Sequence, residues 1–299
     1  MVLSTKKTKV DFLGIGVQKS ATTWLFEILR QHDDIWMPPR KELHYFDRSL
    51  SYPSPSILST EKLNERLTGN EKHNKLFRIR LNDMSYEKLN TNKVNWYHKY
   101  YFSTYNDDWY RSLFDDGIGK IKGEITPAYS ILNKNDIKHI KSMFPDLKII
   151  LILRNPIERV LSQIKYRMTK KRLDTNASTV EIKNFIDSSN QEFRSDYLTI
   201  LDNWEAIFPK NQMFIGFYDE IASNPKSFIE KVFNFLEVKS VPFSNDVLTQ
   251  KINTSIDVEM PEEIIEYVTN KYYEDIKRLS GKFGGYPKLW LDNITNGKD

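Results

Sequence analysis

The chain has 299 residues, enough for one large domain with a real core or two small ones, and no Gly-, Ser- or Pro-rich linker divides it. A formal net charge of +4 is mild and argues against a nucleic-acid polymer as partner, so local basic clusters decide what is bound. The absence of cysteine excludes disulfides, thiol catalysis and thiolate metal sites together.

The first ten residues, MVLSTKKTKV, lack an apolar signal core, and no stretch nears the length of a membrane span, so a cytoplasmic protein is expected. Residues 12–17 are an apolar run that reads as a short buried strand containing Gly14 and Gly16. Gln18, Lys19 and Ser20 make a turn, and Thr22 and Thr23 open a helical pattern through Trp24, Leu25, Ile28 and Leu29. A strand entering a helix through a turn with one lysine and several hydroxyls is an anion site, since unpaired N–H groups, the helix dipole and the ammonium converge there. The anion expected is a phosphate or sulfate. A Walker A loop would need Gly directly before Lys19, where Gln18 stands, and the dinucleotide fingerprint would need Gly at position 19.

Residues 30–47 lead from that helix through Trp36-Met37-Pro38-Pro39 to Lys41-Glu42-Leu43-His44-Tyr45-Phe46. Residues 48–95 are polar and read as an excursion from the sheet, either partly helical or a lid. An aromatic-dense stretch, residues 96–114, follows, and the sheet resumes at residues 123–129. Residues 148–153 are wholly apolar, suited to the middle of a parallel sheet covered on both faces. They end in Arg154-Asn155-Pro156, with Pro156 in place to start a helix. Two helical patterns, near 178–190 and 191–206, precede a strand at 213–217, and Asn224-Pro225 starts an amphipathic helix. The fold expected is α/β, a three-layer arrangement of a central parallel sheet flanked by helices, as a single domain over residues 1–299.

Lys19-Ser20-Ala21-Thr22-Thr23-Trp24 resembles the 5′-phosphosulfate-binding loop of sulfotransferases that use 3′-phosphoadenosine 5′-phosphosulfate (PAPS), written Lys-x-Gly-Thr-Thr-Trp, with Ala21 the one departure. Arg154 at a strand end and Ser162 eight residues on resemble the 3′-phosphate site of the same family. The chemistry agrees, because a guanidinium grips a phosphate through two N–H groups and a hydroxyl adds a directional donor. The resemblance, covering about residues 10–290, implies a P-loop-like phosphosulfate-binding loop and PAPS as the sulfuryl donor. It also implies adenine contacts from Trp24 and Tyr218. Trp24, at helical spacing from Ile28, equally suits the core. The glycine cluster at Ser280-Gly281-Lys282-Phe283-Gly284-Gly285 lies where the family keeps its last 3′-phosphate loop, which would give Lys282, Phe283 and Gly284 that role, although the usual Arg-Lys-Gly is missing.

Sulfuryl transfer needs a cation for the leaving phosphate and a base for the acceptor hydroxyl, and no metal. Lys19 is the natural cation. Glu42 is the base implied by the likeness of Glu42-Leu43-His44-Tyr45-Phe46 to the Glu-Val-His-Phe-Phe segment of heparan sulfate 3-O-sulfotransferases, and an aromatic wall would raise its pKa toward the working range. His44 is the rival base and His98 a weaker one. Glu124, in a segment resembling Glu-Lys-Thr-Pro-Ala-Tyr of glycosaminoglycan sulfotransferases, could orient Lys19 or the acceptor, but Ile125 replaces the lysine. The basic run Lys165, Arg167, Lys170, Lys171 and Arg172 reads as a solvated face, with an acidic acceptor the alternative. The excursion, about residues 48–115, is expected to form the acceptor side. The partner is a hydroxylated small molecule, saccharide or lipid. Two other readings stay open: a P-loop-type kinase or phosphotransferase, and an inactive nucleotide-binding module.

Overall fold

The structure, a computed structural model, describes residues 8–53, 56–82, 93–249 and 256–296. The chain opens with strand β1 (Phe12–Gly16), helix α1 (Thr22–Leu29) and a short strand β2 (Ile35–Trp36). The excursion contains α2 (Leu63–Thr68), α3 (Lys72–Asn82), α4 (Val94–Phe102) and α5 (Asp107–Ser112). The sheet returns with β3 (Ile121–Ile125), followed by α6 (Lys134–Met143), β4 (Lys148–Leu153) and α7 (Pro156–Thr169). Next come α8 (Thr179–Ile186), α9 (Ser189–Ser195), α10 (Tyr197–Glu205), β5 (Met213–Phe217), α11 (Tyr218–Ser223) and α12 (Pro225–Leu236). The chain ends with α13 (Asn245–Thr249), α14 (Glu262–Phe283) and α15 (Gly285–Asn296).

All pairings are parallel, in the order β2-β3-β1-β4-β5, so the expected α/β sheet is present with β1 at its centre. The apolar run of β4 shows why both faces are covered. Ile149, Leu151 and Leu153 enter one core, and Ile150 and Ile152 enter the other, as the two-residue period of a strand requires. Strand β3 lies on one side of β1 and the next strand, β4, lies on the other, so the chain reverses its direction of winding at β1. In open α/β sheets a crevice forms at such a reversal, beyond the carboxyl ends of the strands. At that end Gly16 has φ of +141°, and a Cβ there would stand 2.9 Å from the Pro127 carbonyl oxygen. No larger residue lets the β1 turn approach residue 127 so closely.

Two expectations about elements change. Residues 178–206 hold three helices instead of two. A reciprocal Ser178–Glu181 capping box starts α8, and Asp196 ends α9 while its side chain accepts from Thr199 N to start α10, so a local side-chain cap makes the second of the two breaks. The glycine cluster near residue 282 is no loop: Ser280 to Phe283 finish the 22-residue helix α14, and Gly284 and Gly285, both at positive φ, make the turn into α15.

The excursion is partly helical. Its rings are core, since Trp96, Tyr100, Tyr101, Tyr105, Trp109 and Tyr110 are all buried. Their polar tips are satisfied locally: Trp96 Nε1 donates to Leu113 O at 2.8 Å and Trp109 Nε1 to Lys99 O at 2.8 Å. The fully buried Arg66 ties the segment together. It donates to four carbonyls, of Thr60 (3.2 Å), Glu61 (2.5 Å), Tyr101 (3.1 Å) and Ser103 (2.6 Å), and stacks over the Tyr105 ring at 3.8 Å. The aromatic-dense stretch is therefore a buried layer pinned by one arginine. No helix among the described residues is long and apolar enough to cross a membrane.

Candidate active site

The turn after β1 is shaped by left-handed backbone. Lys19 has φ of +70° and Ala21 +57°, and Ala21 is the N-cap of α1 with no side-chain cap. The first N–H groups of α1 therefore lack a side-chain acceptor at the cap and face the crevice. The left-handed φ also explains why glycine suits position 21, since an L-residue there costs about 1–2 kcal/mol. Ser20 is fully buried, and its Oγ has no hydrogen-bond partner among the described residues.

Arg154 leaves the end of β4, where Asn155 Oδ1 accepts from Ile157 N at 3.0 Å and Pro156 begins α7. Its Nη1 donates to the Lys19 carbonyl at 3.1 Å, joining the two loops expected to share one ligand. Nε and Nη2 both donate to Glu158 Oε2, at 3.2 and 3.1 Å. The guanidinium lies over the Tyr218 ring, 4.1 Å from its centroid. Tyr218 opens α11 directly after β5, so the ends of β1, β4 and β5 supply adjoining parts of one site.

A cavity of about 1950 Å³ opens at these strand ends. Lys19, Ala21, Thr22, Thr23, Trp24, Glu42, Arg154, Ser162 and Tyr218 all line it. The expected residues from four separated stretches of sequence are thus brought to one place. Trp24 also serves the core, with Nε1 donating to Leu248 O at 2.9 Å and its ring meeting the edge of Phe228.

Lys282, Phe283 and Gly284 do not join this set. Lys282 Nζ pairs with Glu205 Oε2 at 2.7 Å and Phe283 packs on Phe217, because the last turn of α14 directs both side chains to neighbouring helices and the sheet edge. The basic run divides in two. Lys165, Arg167 and Arg172 border the cavity and so are not simply a solvated face, whereas Lys170 and Lys171 are exposed and do not line it. None of the described residues 48–115 lines the cavity; its far wall comes from α7, α9 and the segment 257–260. His98 is exposed and stacked on Phe102.

The Glu42 loop is held by several elements at once. Glu42 and His44 both have positive φ, +64° and +58°. Leu43 N donates to Glu124 Oε2 (3.2 Å) and Thr126 Oγ1 (2.9 Å), while Tyr100 OH donates to Leu43 O at 3.0 Å. Arg40 Nη1 reaches Tyr101 OH at 2.6 Å, so the excursion is the platform under this loop. Glu124 is therefore an internal brace. It is fully buried, accepts from Tyr110 OH and Tyr129 OH as well, and its pKa is raised by burial. It reaches neither Lys19 nor the cavity.

Glu42 behaves differently from its expected raised pKa. Burial does oppose its charge, but the His44 hydrogen bond and the Lys41 charge outweigh burial and hold its carboxyl well below the usual carboxylate range. Lys41 Nζ lies 2.7 Å from Oε1, and His44 Nε2 lies 3.5 Å from Oε2. His44 Nδ1 is 2.8 Å from Asp47 Oδ2. Burial alone would lower the His44 pKa, but Asp47 and then Glu42 raise it to about 10, so the ring is an imidazolium at neutral pH. Lys19 is lowered to about 8 by burial and by the neighbouring Arg154.

Sequence reasoning missed Tyr166, Asn190, Arg194 and Met260, which also line the cavity. For Tyr166 a signal existed: it stands four residues after Ser162 in α7 and so shares its face. The others come from segments with no motif.

Residues 12–242 match the profile of a family described as the sulfotransferase family. The chain belongs to the sulfotransferase family. Among curated members, mouse heparan sulfate glucosamine 3-O-sulfotransferase 3B1 is 24% identical over 233 residues, covering 76% of this chain and 46% of that protein. The membrane-associated sulfotransferase kil1 of Dictyostelium discoideum is 28% identical over 156 residues, 52% of this chain and 22% of that one. The chain spans about half the length, or less, of the curated sulfotransferases it matches. A sulfotransferase from Alicyclobacillus acidocaldarius superposes with a TM-score of 0.62 at 21% identity, covering 94% of this chain and 98% of that one, which shows a shared fold. The Lys19 loop, Glu42, Arg154, Ser162 and Tyr218 all fall inside the matched sulfotransferase region.

Proposed function

We propose that the chain transfers a sulfuryl group from PAPS to an acceptor hydroxyl. The observation that carries this reading is the joining of Arg154 to the Lys19 carbonyl, which makes one anion-binding unit of two loops 135 residues apart. The residues present fit such a donor. The uncapped start of α1 and the unpartnered Ser20 hydroxyl offer neutral donors. Lys19 has no acidic partner among the described residues, and Arg154 and Ser162 stand beside it on the cavity wall. When bound, the donor supplies a sulfuryl group already activated on a phosphate. Lys19 and the α1 N–H groups then meet the 5′-phosphosulfate, and Arg154 with Ser162 the 3′-phosphate. Trp24 and Tyr218 border the space left for the base.

Glu42 is the group proposed to take the acceptor proton, and Lys19 neutralises charge on the leaving phosphate. The charge states favour Glu42 over His44: an imidazolium can donate but cannot accept, whereas Glu42 is ionised. Its low pKa means that an acceptor hydroxyl must first displace Lys41 or His44 from the carboxylate, which raises its basicity only in the loaded site. The acceptor is proposed to be a hydroxylated saccharide or small molecule lying toward α7 and α9. A cavity this size leaves room for both ligands, since drug-sized sites occupy about 300–1,000 Å³. The test is a thermal-shift comparison of 3′-phosphoadenosine 5′-phosphate (PAP) with ADP, followed by a mass-spectrometric acceptor screen with labelled PAPS. A clear preference for PAP and a mass gain of one sulfuryl group on an acceptor are expected. Equal shifts for the two nucleotides would overturn the donor assignment.

A further inference from the structure

The Lys19 ammonium does not stand free in the cavity. Its Nζ lies 4.2 Å from the centroid of the Tyr166 ring, which extends from α7 one turn beyond Ser162. Lys170 Nζ lies 5.8 Å from the same centroid, and Arg154 is the charged neighbour that acts on Lys19 most directly. An aromatic face attracts a cation through its quadrupole without neutralising it. A carboxylate in that position would form an ion pair that an incoming anion must break. The acid nearest in role, Glu42, is instead paired with Lys41 at 2.7 Å. The site thus gives Lys19 a soft partner and gives Glu42, the proposed base, a different cation.

Resting on the reading of Lys19 as the phosphosulfate cation, we propose that Tyr166 is a positioning residue whose ring holds the charged Lys19 side chain in the cavity ready for the donor. The ring helps to keep Lys19 charged against burial and against Arg154, both of which lower its pKa to about 8. The hydroxyl of Tyr166 has no part in this, so the face alone matters. Phe preserves it, and Leu or Met fills similar space without it.

The test measures Lys19 directly, apart from turnover. The full chain, free of nucleotide, is acetylated with trace isotope-coded acetic anhydride at pH 7, and the Lys19 peptide is quantified against the Lys41 peptide. Tyr166→Leu should raise relative labelling of Lys19 by about threefold, because loss of the cation–π contact favours the free amine. PAP affinity should fall by about three- to tenfold, and Tyr166→Phe should restore both. Tyr166→Met serves if the Leu variant melts early. Unchanged Lys19 labelling in the Leu and Met variants would overturn the proposal, as would a Phe variant that behaves like Leu. If the wild-type chain binds no PAP, the donor reading fails, and the labelling ratio still decides whether Tyr166 holds Lys19.

Discussion

Arg154 and Lys19 are joined by a hydrogen bond from Nη1 to the Lys19 carbonyl at 3.1 Å, so the end of β4 steadies the backbone of the turn after β1. Arg154 thus holds the turn that carries the ammonium, besides its proposed part in gripping an anion. Arg154→Ala should lower PAP affinity by about two powers of ten and erase any preference for PAP over ADP. Arg154→Lys keeps the charge but not the planar fork, and should recover only part of the affinity. Isothermal titration with both nucleotides checks this; a Lys variant equal to wild type would mean that charge alone suffices.

Glu42→Gln removes the proposed base while leaving the Lys19 loop in place. Turnover should fall by about two to four powers of ten, with PAP affinity changed little. His44→Gln should reduce turnover less, since its contribution is to orient and hold Glu42. Steady-state kinetics with any acceptor found in the screen decides between them. A fully active Glu42→Gln variant would remove the base from this position.

His44 makes stability depend on alkaline pH. Its folded pKa is raised from 6.5 to about 10, so its stabilising contribution is fully present below about pH 6.5 and is lost as pH rises through about 10. Wild-type protein should therefore lose its thermal advantage over His44→Gln between about pH 6.5 and 10. The difference between the two melting curves across pH isolates this group from Lys19 and other titrating residues. A difference that stays constant over that range would show that the histidine is not held charged.

Arg66 braces the excursion from within. Replacing it by Met leaves four carbonyl acceptors without their donor, each such loss costing about 1–3 kcal/mol. A destabilisation of at least about 3 kcal/mol is expected by urea denaturation. Hydrogen exchange should rise across α2, α4 and α5, and much less in β1 and β4. Because the excursion carries the Glu42 loop, turnover should drop more than PAP affinity.

Most of the proposed donor side was legible in the residues. The β1 turn and the β4 end announce themselves locally, since an apolar strand, a breaker and a helix start lie within a dozen residues of each other in both cases. The same local logic misled at residues 280–285, where glycines suggested a phosphate loop. Gly281 is an exposed position within α14, a helix held by packing of its other residues against α15, α7 and α8, and only Gly284 and Gly285 turn the chain. The aromatic-dense stretch of the excursion was visible in the sequence, but only the tertiary structure set its rings beneath the Glu42 loop, through Tyr100 OH to Leu43 O and Arg40 to Tyr101 OH.

By itself the sequence determined the strand–turn–helix units and the order in which the candidate anion-binding residues occur. These follow from side-chain period, breakers and helix ends, which act over a few residues. The tertiary structure alone decided that Arg154 meets the Lys19 carbonyl, that Lys282 pairs with Glu205, that Tyr166 lies under the Lys19 ammonium, and that Glu42 is held ionised. Each depends on distances between residues far apart in the chain and on how much water is left around them. A carboxylate near aromatic residues rises or falls in pKa according to which cation also reaches it, and for Glu42 that was settled by Lys41 and His44 folding onto it.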